Sequence, residues 1–296
     1  MTNHTRTDVR IPTNGLQLAG HLYLPTTEGP VPAVVVGHPT TGVKEQSPAL
    51  YAERLVAEGF GVLTFDAAFQ GESEGMPRGL EDPFQRAEDF RAAVSYLTTR
   101  AEVDSERIGA MGICGSGAYV TYAAQTDHRM RAVAAVSGTD VPSFFRGADP
   151  EGWNQMVAAA GALRTAEAAG EPAATFPVLP EAGTSDLPAP VAEFVDYYKT
   201  PRGQHPRSTG DMVTRSADLL DQYDSFADVA KIAPRPLLMV AGTEAATRGF
   251  SEQAVDTSPG NAQLFLVEGA THVDLYDRKV DEVAAKLVEF FSSSLG

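Results

Sequence analysis

Residues 107 to 125 read Arg-Ile-Gly-Ala-Met-Gly-Ile-Cys-Gly-Ser-Gly-Ala-Tyr-Val-Thr-Tyr-Ala-Ala-Gln. The run 108–113 has the composition of a strand buried on both faces, and the small residues after it suit the start of a helix. Cys114 stands at the turn between them. A nucleophile presented on such a turn has strained backbone, so bulk two residues to either side would collide with it. Gly112, Cys114 and Ser116 satisfy that small-x-nucleophile-x-small spacing. The turn would lift the Cys114 side chain above the end of the strand and aim the Gly115 N–H at the space before it. At the positive end of a helix, a thiol is expected to ionise more readily than a free one. A second register also fits: in Cys114-x-Ser116-x-Ala118 the nucleophile is Ser116. The end of the apolar run at Ile113 favours Cys114, because a strand continued through Cys114-Gly115 would be weakened by glycine at its tip. A buried, inert cysteine is the plain structural alternative.

Working outward, residues 8–12 and 16–25 alternate apolar and polar side chains around Asn14-Gly15, a strong hairpin signal. Residues 31–37 and 61–65 read as buried strands, with helices expected over 47–58 and 82–100. After the 108–113 strand and its helix, 132–136 is the next strand. Such alternation implies a mostly parallel sheet with right-handed crossovers. The pattern breaks over 141–233, where helical windows (154–169, 191–198, 211–220) are separated by Pro/Gly-rich joints without a convincing strand. Strands resume at 236–242 and 263–267, and a helix over 280–291 closes the chain. The expected architecture is therefore α/β, with eight strands and an insertion after the sixth.

Apolar residues make up 43% of the 296, ample for a core. With 39 acidic against 23 basic residues the net charge is −16, which argues against nucleic acid and anionic membrane surfaces as partners. One cysteine excludes an intrachain disulfide and a multi-cysteine metal site. The polar residues 1–7 read as a loose tail rather than a leader, and no apolar run has membrane-spanning length, so the expected address is the cytoplasm.

Five stretches carry a family resemblance: Gly37-His-Pro-Thr-Thr-Gly-Val-Lys-Glu-Gln46, Phe65-Asp-Ala-Ala-Phe-Gln-Gly-Glu-Ser73, Gly112-Ile-Cys-Gly-Ser-Gly117, Tyr198-Lys-Thr-Pro-Arg-Gly-Gln-His-Pro-Arg207 and Gly269-Ala-Thr-His-Val-Asp274. Together with the element order they resemble the α/β-hydrolase superfamily, in a bacterial branch similar to dienelactone hydrolases and fungal polyketide transferases. The resemblance implies a core over 1–140 and 234–296 and a helical cap or lid over 141–233.

It also implies a set of roles. His272, between the last strand and last helix, is the expected base for Cys114, as a thiolate–imidazolium pair. The acid is expected from Glu244, in the loop after the seventh strand, or from Asp140 after the sixth. A Cys–His pair without an acid stays open. The oxyanion hole would combine the N–H of Gly115 with that of Thr40 or Thr41, since Pro39 cannot donate. Residues 66–73 read as scaffold. His38 lies beside the oxyanion loop, and Tyr197, Tyr198, Arg202, His205 and Arg207 either line a substrate pocket or form a polar hinge. The implied activity is cleavage of an ester, lactone or thioester through an acyl-enzyme on Cys114, with no metal or organic cofactor. Transfer, cyclisation or release of a polyketide-like acyl group is the alternative within the enzyme class, and a catalytically silent binding protein the alternative outside it. The expected partner is a small-molecule acyl substrate, with a homodimer left open.

Overall fold

A computed structural model describes residues 4–296. Strands β1 (His4–Thr13) and β2 (Leu16–Pro25) form the hairpin, with Asn14 and Gly15 both at positive φ as its two-residue turn requires. β1 begins at His4, which pairs with Pro25, so residues 4–7 are strand rather than loose tail. Residues 1–3 of that expected tail lie outside the described residues. There follow β3 (Val31–Gly37), α1 (Ser47–Ala57), β4 (Gly61–Phe65), α2 (Pro83–Thr98), β5 (Val103–Ile113), α3 (Gly115–Ala124) and β6 (Met130–Val136). The stretch after β6 holds α4 (Val141–Ala148), α5 (Pro150–Ala168), β7 (Thr175–Pro177), α6 (Ala189–Tyr198), β8 (Asp211–Val213) and α7 (Ser216–Asp221). Then β9 (Leu237–Gly242), α8 (Arg248–Thr257), β10 (Ala262–Val267), a one-turn 3-10 helix (Val273–Tyr276) and α9 (Val280–Leu295) complete the chain.

The main sheet has eight strands in the order β1-β2-β4-β3-β5-β6-β9-β10. It is antiparallel at the β1/β2 and β2/β4 pairs and parallel from β4 onward. Its central strands are apolar on both sides because helices cover both faces, α1 and α9 on one and α2, α3 and α8 on the other. No helix among the described residues is long and apolar enough to cross a membrane.

The stretch after β6 departs from the sequence reading. β7 and β8 pair antiparallel as a separate two-stranded sheet, and part of the helix expected over 211–220 is strand. Three-residue strands are too short to display a period of two, which is why the alternation signal is silent there. α4 and α8 were also not legible as helices. α4 starts where Asp140 accepts a hydrogen bond from the Ser143 N–H, directly after the β6 loop.

At the end of β5, Cys114 adopts φ 58°, ψ −124°, a region costly for any residue with a side chain. Three backbone hydrogen bonds hold it: Cys114 N–H to the Val136 carbonyl, and the N–H groups of Gly117 and Thr139 to the Cys114 carbonyl. A β-carbon on Gly112 would lie 2.0 Å from the Ser116 carbonyl oxygen, so the turn closes only over a glycine. Gly112→Ala is expected to cost about 3 kcal/mol, the upper end of overpacking penalties, because the clash is backbone against backbone. A urea midpoint unchanged from wild type would show that the turn can relax around the methyl group.

Candidate active site

The thiol of Cys114 lies above the C-terminal edge of the sheet, 8% exposed. Thr40 and Thr139 line the same cavity as Cys114, and the Gly115 and Thr40 N–H groups both favour the ionised thiol, which makes them the two candidate oxyanion donors. Gly115 must be glycine, since a β-carbon there would meet Thr40 Oγ1 at 2.3 Å. Thr41, at φ 59°, shapes the loop that aims Thr40, and the Ser208 hydroxyl donates to the Thr41 carbonyl at 2.8 Å. Both threonines named from sequence line the cavity, and Thr40 is the one whose N–H favours the ionised Cys114.

Ser116 does not share the site. Its hydroxyl donates to the His38 carbonyl at 2.5 Å and accepts from Arg86 at 3.3 Å, both beneath the turn. His38 is likewise scaffold rather than pocket. Its Nδ1 lies 2.7 Å from the Pro39 carbonyl oxygen, and its Nε2 accepts from the Ala67 N–H at 2.9 Å, tying the β3 and β4 loops together. Burial and the adjacent Arg86 hold its pKa well below the ordinary value, so it stays neutral.

His272 is fully buried, with Phe194 of α6 packed on its ring at 4.9 Å. Its Nδ1 lies 2.5 Å from Thr247 Oγ1, and its Nε2 lies 2.9 Å from the Tyr276 hydroxyl. Neither expected acid reaches it. Glu244 is exposed, because the loop after β9 turns it outward while burying Thr247 three residues on. Asp140 caps α4 and binds Ser225 instead. The partner of Nδ1 is a hydroxyl, which lacks the charge that would stabilise an imidazolium.

Burial opposes the charged pair expected from sequence. Burial pushes the Cys114 thiol above its ordinary value, outweighing the hydrogen bonds from Tyr276, Gly115, Thr139 and Thr40. Burial also pushes His272 down to about 3. Both groups rest neutral at pH 7.

The Cys114 sulfur opens into a cavity of about 200 Å³. Its polar rim is Thr40, Thr41, Thr139 and Tyr198, and its far wall is apolar, with Phe144, Phe145, Val178, Leu179, Val191 and Phe194 all supplied by the stretch after β6. No charged side chain lines it. Of the pocket residues named from sequence only Tyr198 does. Tyr197 is buried behind it. Arg202 is bound by both oxygens of Asp277 (2.7 and 2.8 Å) and by Asp196 (2.9 Å). His205 accepts from the Arg207 N–H, and Arg207 pairs with Glu45 and Glu72. These three residues are held in ion pairs and loop contacts and do not line the cavity.

One group of carboxylates, Glu45, Asp66 and Glu72, is close enough to hold a metal ion, but the Lys44 ammonium sits among them at 2.7 to 2.9 Å. The cluster is a partly buried ion-pair cage that ties residues 44–45 to the 66–73 scaffold.

The chain has relatives among known proteins. Residues 18–162 match the dienelactone hydrolase family. The chain is 38% identical over 276 residues to the uncharacterized protein YcjY of Escherichia coli strain K12, covering 89% of each. The chain belongs to the dienelactone hydrolase family. The crystal structure of the hypothetical protein PA2218 from Pseudomonas aeruginosa superposes on this family member with a TM-score of 0.91 at 33% identity, covering 99% of this chain and 95% of that one. The thiohydrolase aneE of Aspergillus aculeatus is 36% identical over 177 residues, 59% of this chain and 55% of its own. Fungal proteins named acyltransferase and polyketide transferase align across nearly the whole chain as well. This dienelactone hydrolase family member is thus an enzyme of the hydrolase or acyl-transfer type with the α/β-hydrolase fold.

Sequence reasoning missed Tyr276, Thr247, Thr139 and Phe194. Tyr276 stands four residues after His272, a spacing that brings side chains together over one helical turn. Thr247 lies in the same loop as Glu244, three residues on.

With the thiol neutral and buried, alkylation of Cys114 by iodoacetamide is expected to rise only above pH ~8.5, the free-thiol value, with no plateau at lower pH. A plateau below pH 7 would mean that a charged pair forms after all.

Proposed function

We propose that this family member is a cysteine-dependent acyl hydrolase acting on uncharged esters or thioesters with an apolar acyl group. The observation that carries the reading is Cys114 itself, held at φ 58° between β5 and α3 and lining a cavity together with Thr40. In this reading Cys114 attacks the carbonyl, the Gly115 and Thr40 N–H groups receive the developing oxyanion, and His272 is the final acceptor of the thiol proton. The segment 141–233 serves as a helical cap that supplies the acyl pocket. A small, uncharged cavity of about 200 Å³ suits one apolar acyl arm rather than a whole large substrate.

Incubation with a panel of apolar thioesters and esters is expected to give an acyl-enzyme by intact mass, absent in Cys114→Ala. Turnover that survives Cys114→Ala would sink the mechanism. A ligand bound tightly without adduct or turnover would point to a silent binding protein instead. Because the pocket offers no cation, an acyl group ending in a carboxylate is expected to react at least ~100-fold more slowly in kcat/KM than its methyl-terminated analogue, a few kcal/mol for an unpaired buried charge. Equal rates would refute the apolar assignment.

Acyl transfer stands as a second reading. The apolar wall of the cavity and the complete burial of His272 favour it, since both disfavour water as the acceptor. Product analysis with an added alcohol or amine distinguishes the two.

A further inference from the structure

Both ring nitrogens of His272 are engaged, and neither partner is Cys114. Nδ1 lies against Thr247 Oγ1 and Nε2 against the Tyr276 hydroxyl. Tyr276 and Cys114 share one buried cluster, and the Tyr276 hydroxyl favours ionisation of the Cys114 thiol. A direct thiol–imidazole transfer is therefore not available in this arrangement. We propose that Tyr276 is a catalytic residue whose hydroxyl carries the proton between Cys114 and His272. The inference rests on the acyl-enzyme reading above.

One tautomer connects the neutral groups into a relay. His272 Nδ1–H donates to Thr247, Nε2 accepts from the Tyr276 O–H, and the Tyr276 oxygen accepts from the Cys114 S–H. During attack the sulfur–carbon bond forms and the S–H bond breaks. The thiol proton passes to the Tyr276 oxygen as the Tyr276 proton passes to Nε2, and the carbonyl electron pair becomes the oxyanion. On collapse the leaving group takes a proton from the Tyr276 hydroxyl while His272 returns its own to that oxygen. Water or another acceptor then repeats the cycle in the opposite sense. Burial holds the phenol well above its ordinary value, so the two protons move together and no free phenolate stands between them.

A packing role for the ring is real but leaves the hydroxyl unexplained. The Tyr276 ring packs edge-on against Tyr197 at 5.0 Å and His272 at 5.4 Å, contacts that phenylalanine would keep. Its one-turn helix is held from outside: the Tyr51 hydroxyl donates to the Leu275 carbonyl at 2.5 Å, Arg202 clamps Asp277, and the Ser137 hydroxyl donates to the His272 carbonyl at 2.9 Å. These restraints place the hydroxyl between sulfur and imidazole without using it.

The test is single-turnover acylation by an apolar thioester, followed by intact mass in wild type, Tyr276→Phe, His272→Ala and the double variant. Tyr276→Phe is expected to lower the acylation rate at least ~100-fold, the span of general acid–base catalysis, with KM little changed. The double variant should be no slower than the slower single one, since both remove the same relay. A proton inventory of wild-type acylation in H2O/D2O mixtures should curve, as expected for two protons in flight. Acylation by Tyr276→Phe within about threefold of wild type, multiplicative losses in the double variant, or a linear inventory would each overturn the relay while leaving the acyl-enzyme intact. The inventory decides the matter even if Tyr276→Phe does not fold. Absence of any adduct in wild type would instead remove the acyl-enzyme reading, and the relay with it.

Discussion

The left-handed backbone at Cys114 is the constraint on which the rest depends. Holding a residue with a side chain at φ 58° costs about 1–3 kcal/mol, comparable to what the three backbone hydrogen bonds from Val136, Gly117 and Thr139 return at about 1 kcal/mol each. Those partners belong to β6, its loop and α3, so the strained residue persists only in the assembled sheet. Glycine at 112 and 115 follows from the same geometry, since one must admit the Ser116 carbonyl and the other the Thr40 side chain.

Around this turn the chain places a shell of polar groups that hold loops rather than meet ligand. His38, Arg86, Glu81 and Ser116 form one buried set beneath the turn, and Lys44 with Glu45, Asp66 and Glu72 forms another, partly buried, beside the oxyanion loop. Every charge in them is paired, which is the condition for burying charge at all. Several residues that look functional in the sequence, His38 and Arg202 among them, belong to this framework. Buried polar residues in loops carry the same signature whether they bind a substrate or another loop.

The electrostatics of the candidate site follow from its dryness. A hydroxyl rather than a carboxylate faces His272, Phe194 covers its ring, and burial disfavours charge on thiol and imidazole alike. A neutral resting pair, joined through Tyr276, lies against a pocket whose apolar wall is built by the stretch after β6. Low polarity thus governs both the protonation of the pair and the kind of group the cavity can hold.

The sequence by itself determined the eight-stranded sheet, the position of the insertion and the turn at Cys114. Each is written in local signals: buried apolar runs of strand length, Asn14-Gly15, and small residues spaced around one cysteine. Only the tertiary structure decided the partner of His272, the choice of Thr40 over Thr41, the scaffold role of Ser116 and His38, and the place of Tyr276 between base and thiol. Those are contacts between residues up to about 160 positions apart in the chain, and their outcome depends on side-chain direction and burial rather than on residue type. Glu244 and Thr247 share one loop, and a turn of backbone, not chemistry legible in the sequence, sends the carboxylate to solvent and the hydroxyl to the histidine.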